Sequence, residues 1–311
     1  MEFVSEIKWK PNSSVSDLLS QFKANGFQST ELNKASEVLY KVWSQKAKVV
    51  LTFTSNMVTA GLRSLFAQLI ELGLVDAVIT TAGSIEEDIM KAKGEKFPLT
   101  RFRADDIELH EKGHNRVGNI IITNDSYGRF EGLMKDMIDE ILTKKSEMSV
   151  SEFLFEIGKK LNDKDSILYQ ASKHKVPIFC PAITDGSIGF HLYLAKDRRK
   201  NFHLDVIDDF KKMMFTLSPD DTKGFIALGG GVSKHFGLLG TMINGGADYA
   251  VYMTTSTGWS GSLSGASTNE AKSWGKIKDD SDSVTVIGDV SINFPMAVFA
   301  VLDRLKKEEV I

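Results

Sequence analysis

The sequence predicts an α/β fold: a Rossmann-like, mostly parallel sheet with helices on both faces, preceded by an N-terminal helical extension. Two observations carry this. Short β-rich apolar runs recur along the chain, and each stops at a cluster of Gly, Thr, Ser, Asn or Asp. The runs are apolar throughout rather than alternating, and helical patterns separate several of them, as suits strands covered on both faces.

Residues 1–44 form the expected helical extension, a cap or an oligomer contact, and residues 45–311 a single α/β catalytic domain. In the extension, "SSVSDLLSQFKANGF" has a serine start signal, an aspartate in the first turn and a glycine stop. Seven strands are expected, at "KVVLTFTSN", "VDAVITTAGS", "VGNIIITNDS", "VPIFCPAITDGS", "GFIALGGGVS", "DYAVYMTTST" and "VTVIGDVS". After the first, Val58, Leu62, Leu65, Phe66, Leu69 and Ile70 fall at helical spacing. The charged ending "DRLKKEEVI" reads as a last helix running into a solvated tail. Ligands of parallel sheets bind beyond the carboxyl ends of the strands, where these polar clusters fall.

With 311 residues, 42% hydrophobic and 25% charged, the chain has material for a large core. A net charge of -3 gives no basic footprint, so nucleic acid is not an expected partner. The single cysteine, Cys180, excludes an internal disulfide and suits a reducing compartment. The start "MEFVSEIKWK" lacks the apolar stretch of a signal peptide, and no run approaches the roughly 18 apolar residues of a membrane span, so a cytoplasmic protein is expected. No His/Cys/Asp/Glu spacing suggests a metal site, and no GxSxG suggests a serine hydrolase.

The strand exits supply candidates. Gly229, Gly230 and Gly231 in "IALGGGVSKH" stand between a strand and a helix, where backbone N–H groups can approach a pyrophosphate, although the motif is not GxGxxG. Ser55, Asn56 and Thr59 either cap the next helix or bind a cofactor. Glu86, Glu87 and Asp88 either accept from a ribose diol or are first-turn acids. Asp185 and Asp289 end strands as turn or ligand residues. His235 suits a general base or a capping residue. Tyr252, Glu270 and Trp274 offer a hydroxyl, a negative charge and an aromatic face that receives cations. Lys276, in "EAKSWGKIKDD", is either a solvated charge or a nucleophile desolvated by Trp274 and Ile277.

Together, "FTSNMVTAGLR", "VDAVITTAGSIEED", "NRVGNIIITNDSY", "VPIFCPAITDGSIG", "IALGGGVSKH", "NGGADYAVYMTTST" and "EAKSWGKI" resemble the deoxyhypusine synthase family, in order and over nearly the whole chain. The resemblance implies an NAD-dependent transferase, assembled as a homotetramer, that oxidises spermidine beside an amine nitrogen. The imine passes to a lysine and the aminobutyl group to a lysine of a translation factor. Lys276 falls on that catalytic lysine and His235 on the residue assisting deprotonation. The positions matching NAD contacts are Ser55, Asn56, Thr59, Thr81, Ala82, Gly83, Glu87, Asp185, Gly229, Gly230, Gly231, Thr255, Ser256 (alanine in the family) and Asp289. Tyr252, Glu270 and Trp274 match the amine pocket, whereas Phe190 and Leu263 replace two polyamine-binding aspartates and Leu239 a pocket asparagine. Those replacements lead to the expectation of an amine other than spermidine, with a protein lysine or a free amine as acceptor. A true deoxyhypusine synthase, a homospermidine-forming relative and a non-catalytic partner subunit are the alternatives.

Overall fold

The computed structural model describes residues 3–311. In chain order the strands are β1 Lys48–Phe53, β2 Ala77–Ile79, β3 His114–Val117, β4 Ile120–Thr123, β5 Glu147–Ser149, β6 Ile178–Phe179, β7 His203–Asp205, β8 Lys223–Leu228, β9 Ala247–Thr254 and β10 Ile277–Ile287. The backbone divides into two compact units. The first joins the residues up to Phe53, Leu74–Ile79 and Met213–Ile311; the second joins Thr54–Gly73 and Thr80–Lys212.

The first unit is built on parallel strands in the order β10, β9, β8, β1, β2. β8 is buried along its whole length and pairs with β1 in unbroken register from Lys48 opposite Lys223 to Phe53 opposite Leu228. Successive residues of a strand face opposite sides, and two glycines show what covers each side of β8. A Cβ on Gly224 would lie 2.8 Å from Cγ1 of Val42, so the helix Phe27–Ser44 lies against that side. Phe225 points the other way, and a Cβ on Gly237 would lie 2.7 Å from its ring, so the helix Gly231–Ile243 covers that face. Helices therefore cover both faces, as the uninterrupted apolar runs require.

The helix Val15–Gln21 begins as the sequence suggests, with a capping box between Ser14 and Asp17, and packs on the last helix, Val290–Lys307. At the outer strand, β10 follows β9 from Asp282 onward, but between Ile277 and Asp282 the register shifts. Five steps along β10 there match two along β9, from Ala247 to Tyr249, so the strand is bulged.

The second unit is mostly helical. Its longest helix, Asn124–Lys144, follows an antiparallel β3–β4 hairpin, and β5 pairs with β7 in parallel. Here the expectation from "VGNIIITNDS" needs correction: Gly118, at φ +61, turns the chain back, so Ile120–Thr123 pairs with its own neighbour rather than joining a parallel sheet. The pattern from Val58 to Ile70 likewise resolves into two helices, Ser55–Thr59 and Arg63–Glu71, separated by Gly61 at φ +94. A buried ion cluster ties this unit together. Arg63 Nε lies 2.5 Å from Asp88 and its Nη2 2.6 Å from Asp163. Asp88 also accepts from Ser166 Oγ, Ile167 N–H and Leu168 N–H at the start of the helix Ile167–His174.

Candidate active site

Lys276 enters from a turn that only a few residues can make. Gly275 before it stands at φ +65, in the region that favours glycine. The Lys276 carbonyl then accepts from Thr241 Oγ1 at 3.0 Å and from Ala247 N–H at 3.1 Å, while its own N–H donates to Ala271 O at 3.1 Å. With its backbone held on three sides, the side chain is directed inward and is only 7% exposed. Its Nζ lies 4.9 Å from the centroid of the Trp274 ring. Trp274 itself is 64% exposed, so one ring face covers the lysine while the other meets solvent. Lys276 is therefore a buried lysine and not a freely solvated charge.

Around Lys276 a small cavity of about 20 Å3 is lined by Lys234, Tyr252, Leu263, Glu270 and Trp274 among others, room for about one water. Ser267 starts the short helix Thr268–Lys272, its Oγ accepting from Glu270 N–H, and this helix presents Glu270 to the cavity. Tyr252 is buried with no partner for its hydroxyl, and burial pushes that hydroxyl's pKa above the usual range. Leu263 does line the cavity; Leu239 is half-buried on the helix Gly231–Ile243 and does not, its neighbour Leu238 doing so instead. His235 is exposed on the same helix and is not part of the lining.

The residue that sequence reasoning passed over is Lys234. It is 1% exposed, and its Nζ donates to Leu263 O at 3.0 Å and Ala266 O at 2.8 Å. The same nitrogen lies 4.1 Å from the centroid of the Tyr252 ring. Burial lowers its pKa to about 8; Glu270 opposes that shift and Lys276 adds to it. Its position in "GGGVSKH", one residue before a histidine, carried no sign of burial.

The glycine run sits at the carboxyl end of β8 and opens the helix Gly231–Ile243. Gly229 and Gly231 stand at φ +83 and +69. Gly230 is required by contact instead, since a Cβ there would lie 2.4 Å from the Cα of Ser264, whose Oγ accepts from Gly231 N–H at 3.1 Å. Gly230→Ala is expected to push the turn Leu263–Gly265 outward and cost about 1–3 kcal/mol, read as a lowered denaturation midpoint. Thr255 is exposed and Ser256 half-buried after β9. Asp289 caps the helix Val290–Lys307, accepting from Ser291 N–H at 2.8 Å.

The second unit gathers the other polar candidates. Ser55 does not cap a helix: Thr54 is the cap residue of Ser55–Thr59, and Ser55 packs against Gly83, where a Cβ would lie 3.0 Å from its own. Asn56 is exposed and accepts from Thr54 Oγ1 at 2.5 Å. Thr59 donates to Glu87 Oε1 at 2.8 Å. The acids at 86–88 are not first-turn acids, because the helix Ala82–Ala92 has none there, and all three are buried. Glu86 accepts from Ile188 N–H and Asp88 belongs to the Arg63 cluster, whereas Glu87 keeps Oε2 without a partner. Thr81 Oγ1, at the start of that helix after buried Thr80, is likewise buried and unpartnered, and Ala82 is fully buried beside it. Asp185 is exposed in the turn before the helix Ser187–Arg198. Phe190, on that helix and 56% exposed, lines a cavity of about 650 Å3 with Tyr127, Glu131 and His191. Cys180 is buried, and burial pushes its thiol far above the usual range, so it is not a nucleophile. Among the described residues no group of three or more His, Cys, Asp or Glu side chains forms a metal-binding cluster, and no helix is long and apolar enough to cross a membrane.

A parallel α/β sheet with a glycine-rich strand exit, and a buried lysine faced by a tryptophan, define a Rossmann-like α/β protein with a lysine-centred site. Comparison with known proteins narrows this. A family model described as deoxyhypusine synthase matches residues 17–301. A protein of Thermococcus kodakarensis named "Probable deoxyhypusine synthase" is 39% identical over 307 residues, covering 93% of this chain and 91% of its own length. The "Deoxyhypusine synthase" of Candida glabrata is 36% identical, covering 92% of this chain and 86% of its own. Among solved structures, an Entamoeba histolytica protein assigned as a deoxyhypusine synthase superimposes with a TM-score of 0.68 at 24% identity, over 96% of this chain and 97% of its own. The chain belongs to the deoxyhypusine synthase family, a family of NAD-dependent transferases.

Proposed function

We propose that the protein transfers an aminobutyl group from spermidine to a lysine of an acceptor protein, with Lys276 as the covalent carrier. The observation that carries this reading is Lys276 itself, 7% exposed, fixed through its backbone and faced by Trp274. Relatives named for this activity, 36–40% identical over more than nine-tenths of the chain, support it.

The residues present fit NAD. Glu87 Oε2 and Thr81 Oγ1 are buried acceptors or donors without partners, as a ribose diol site leaves them in its ligand's absence, and the glycine exit opens a helix of 13 residues. In this proposal the positions that match the family's NAD contacts are Ser55, Asn56, Thr59, Thr81, Ala82, Gly83, Glu87, Asp185, Gly229, Gly230, Gly231, Thr255, Ser256 and Asp289. Bound NAD supplies the acceptor for the hydride from the carbon beside the amine nitrogen and, once reduced, the donor that returns it to the imine formed on the acceptor lysine, giving the secondary amine. The chain's own residues do the rest. Glu270 balances the charge of a bound amine and Trp274 gives it an aromatic face, whereas His235, exposed and outside the cavity lining, is assigned removal of the amine proton by the family resemblance alone. The Lys276 amine attacks the imine carbon and displaces the amine that leaves; the acceptor lysine then attacks the same carbon and frees Lys276. The narrow cavity requires Trp274, the exposed wall, to move as the amine enters.

Leu263 in the cavity wall favours a second reading, in which the donor is an amine with fewer charges than spermidine. One experiment separates the two. Protein, NAD and a panel of amines are mixed, NADH absorbance is followed, and borohydride trapping is read by peptide mass spectrometry. A spermidine adduct on Lys276 supports the first reading and an adduct only with another amine the second; no adduct with any amine overturns both.

Glu87 gives a pH test of the cofactor assignment. Burial raises its carboxyl to about 7, against the lowering effects of the Thr59 hydroxyl and Lys91, with Glu86 adding to the rise. In the unliganded fold this acid contributes stability below its unfolded value of about 4.3 and loses it as pH rises through about 7. A ribose diol donates best to the ionised carboxylate, so NAD affinity is expected to rise up to about ten-fold between pH 6 and 8. Glu87→Gln is expected to flatten that profile in a fluorescence titration.

A further inference from the structure

We propose that Lys234 sets the charge of the amine pocket, so that a cationic amine binds only as Lys234 releases its proton to solvent. This rests on the function proposed above. The cavity at Lys276 is lined by two lysines, Lys234 and Lys276, and a single carboxylate, Glu270. A cationic amine entering beside them would stand as one more positive charge against that carboxylate, and an uncompensated buried charge is strongly disfavoured.

Lys234 is built to yield its charge without losing its place. Its acceptors are the carbonyls of Leu263 and Ala266, at 3.0 and 2.8 Å, and not carboxylates. A neutral amine keeps two N–H groups, enough for both carbonyls. The hydrogen given up is the third, which neither carbonyl accepts, on a nitrogen 4.1 Å from the centroid of the Tyr252 ring. Loss of the proton therefore breaks no hydrogen bond and leaves the turn Leu263–Gly265 anchored to the helix Gly231–Ile243. The charged and titratable groups facing Lys234 are Glu270 from the helix Thr268–Lys272, Lys276 at the start of β10, and Tyr252 from β9, whose hydroxyl stays neutral because burial raises it. His235, next on its own helix, is exposed. Burial places the Lys234 titration near 8, within the range where an enzyme can use it.

The test is the pH dependence of KM for spermidine, at saturating NAD, in wild type, Lys234→Arg and Lys234→Gln. If only the neutral form admits the amine, apparent affinity scales with the neutral fraction. Wild-type KM is then expected to fall about ten-fold between pH 7 and 9. The arginine variant, charged throughout, is expected to keep a high KM at every pH, and the glutamine variant a low and flat one. If both variants follow the wild-type profile, Lys234 is only a strut for the turn and the proposal falls alone. If wild type gives neither NADH nor a trapped adduct with spermidine, the proposed function falls with it. Should the glutamine variant not fold, calorimetry of spermidine binding to wild type at pH 7 in two buffers of different ionisation enthalpy decides the matter. Release of about one proton per spermidine supports the proposal and release of none overturns it.

Discussion

Lys276→Ala is expected to lower aminobutyl transfer by at least about 10^4-fold, to background, while NAD binds as before. The reason lies in how the residue is held. Its anchoring hydrogen bonds, from Thr241, from Ala247 and to Ala271, all involve the main chain, so truncating the side chain leaves the turn in place. What disappears is the amine beneath Trp274 that is proposed to attack the imine. A single-turnover assay with labelled spermidine measures the first part and a fluorescence titration with NAD the second. Loss of NAD binding together with transfer would assign Lys276 a structural role and overturn the covalent reading.

Asp88→Ala is expected to destabilise the fold by about 3–5 kcal/mol, the effect of leaving one member of a buried ion pair behind. Asp88 is 1% exposed and Arg63 7% exposed. Removal of the carboxylate takes away the 2.5 Å contact to Arg63 Nε and the acceptors for Ser166 Oγ, Ile167 N–H and Leu168 N–H. Asp163 still meets Arg63 but is the more exposed of the two acids, so it compensates only in part. Asp88→Asn, which keeps an acceptor oxygen, is expected to lose less. Urea unfolding of each variant gives the comparison, and a change under about 1 kcal/mol would show that the cluster is not the strut it resembles.

Much of this architecture was legible because it depends on local pattern. Runs such as "KVVLTFTSN" and "GFIALGGGVS" are apolar on both sides and stop at small polar residues, and a strand buried on both faces needs both properties. The burial of Lys276 is local in origin, since Trp274 covers it and Gly275 turns the chain toward it, but its neighbours alone left both readings open and only the family resemblance singled it out as a nucleophile. The rest depended on distant partners. Ile120–Ile122 is as apolar as any strand of the parallel sheet, and only the turn at Gly118 sends it into a hairpin. Glu86, Glu87 and Asp88 look alike in the sequence, yet one caps a helix start a hundred residues away, one is left with an open oxygen and one neutralises Arg63. Lys234 is hidden by carbonyls about thirty residues further along the chain, which no spacing rule announces.

The irregular outer strand β10 bears on how copies of the chain can meet. Its shifted stretch between Ile277 and Asp282 carries Lys278, Asp279 and Asp280, and Lys278 is committed to Asp248 at 2.6 Å. A kinked, charged margin offers no straight row of N–H and C=O groups for a neighbouring chain to copy. Pairing with a neighbouring chain's strand is thereby disfavoured along this stretch of the edge, where a contact is better made by side chains. The same irregularity lies a few residues from the lysine on which the chemistry is proposed to turn.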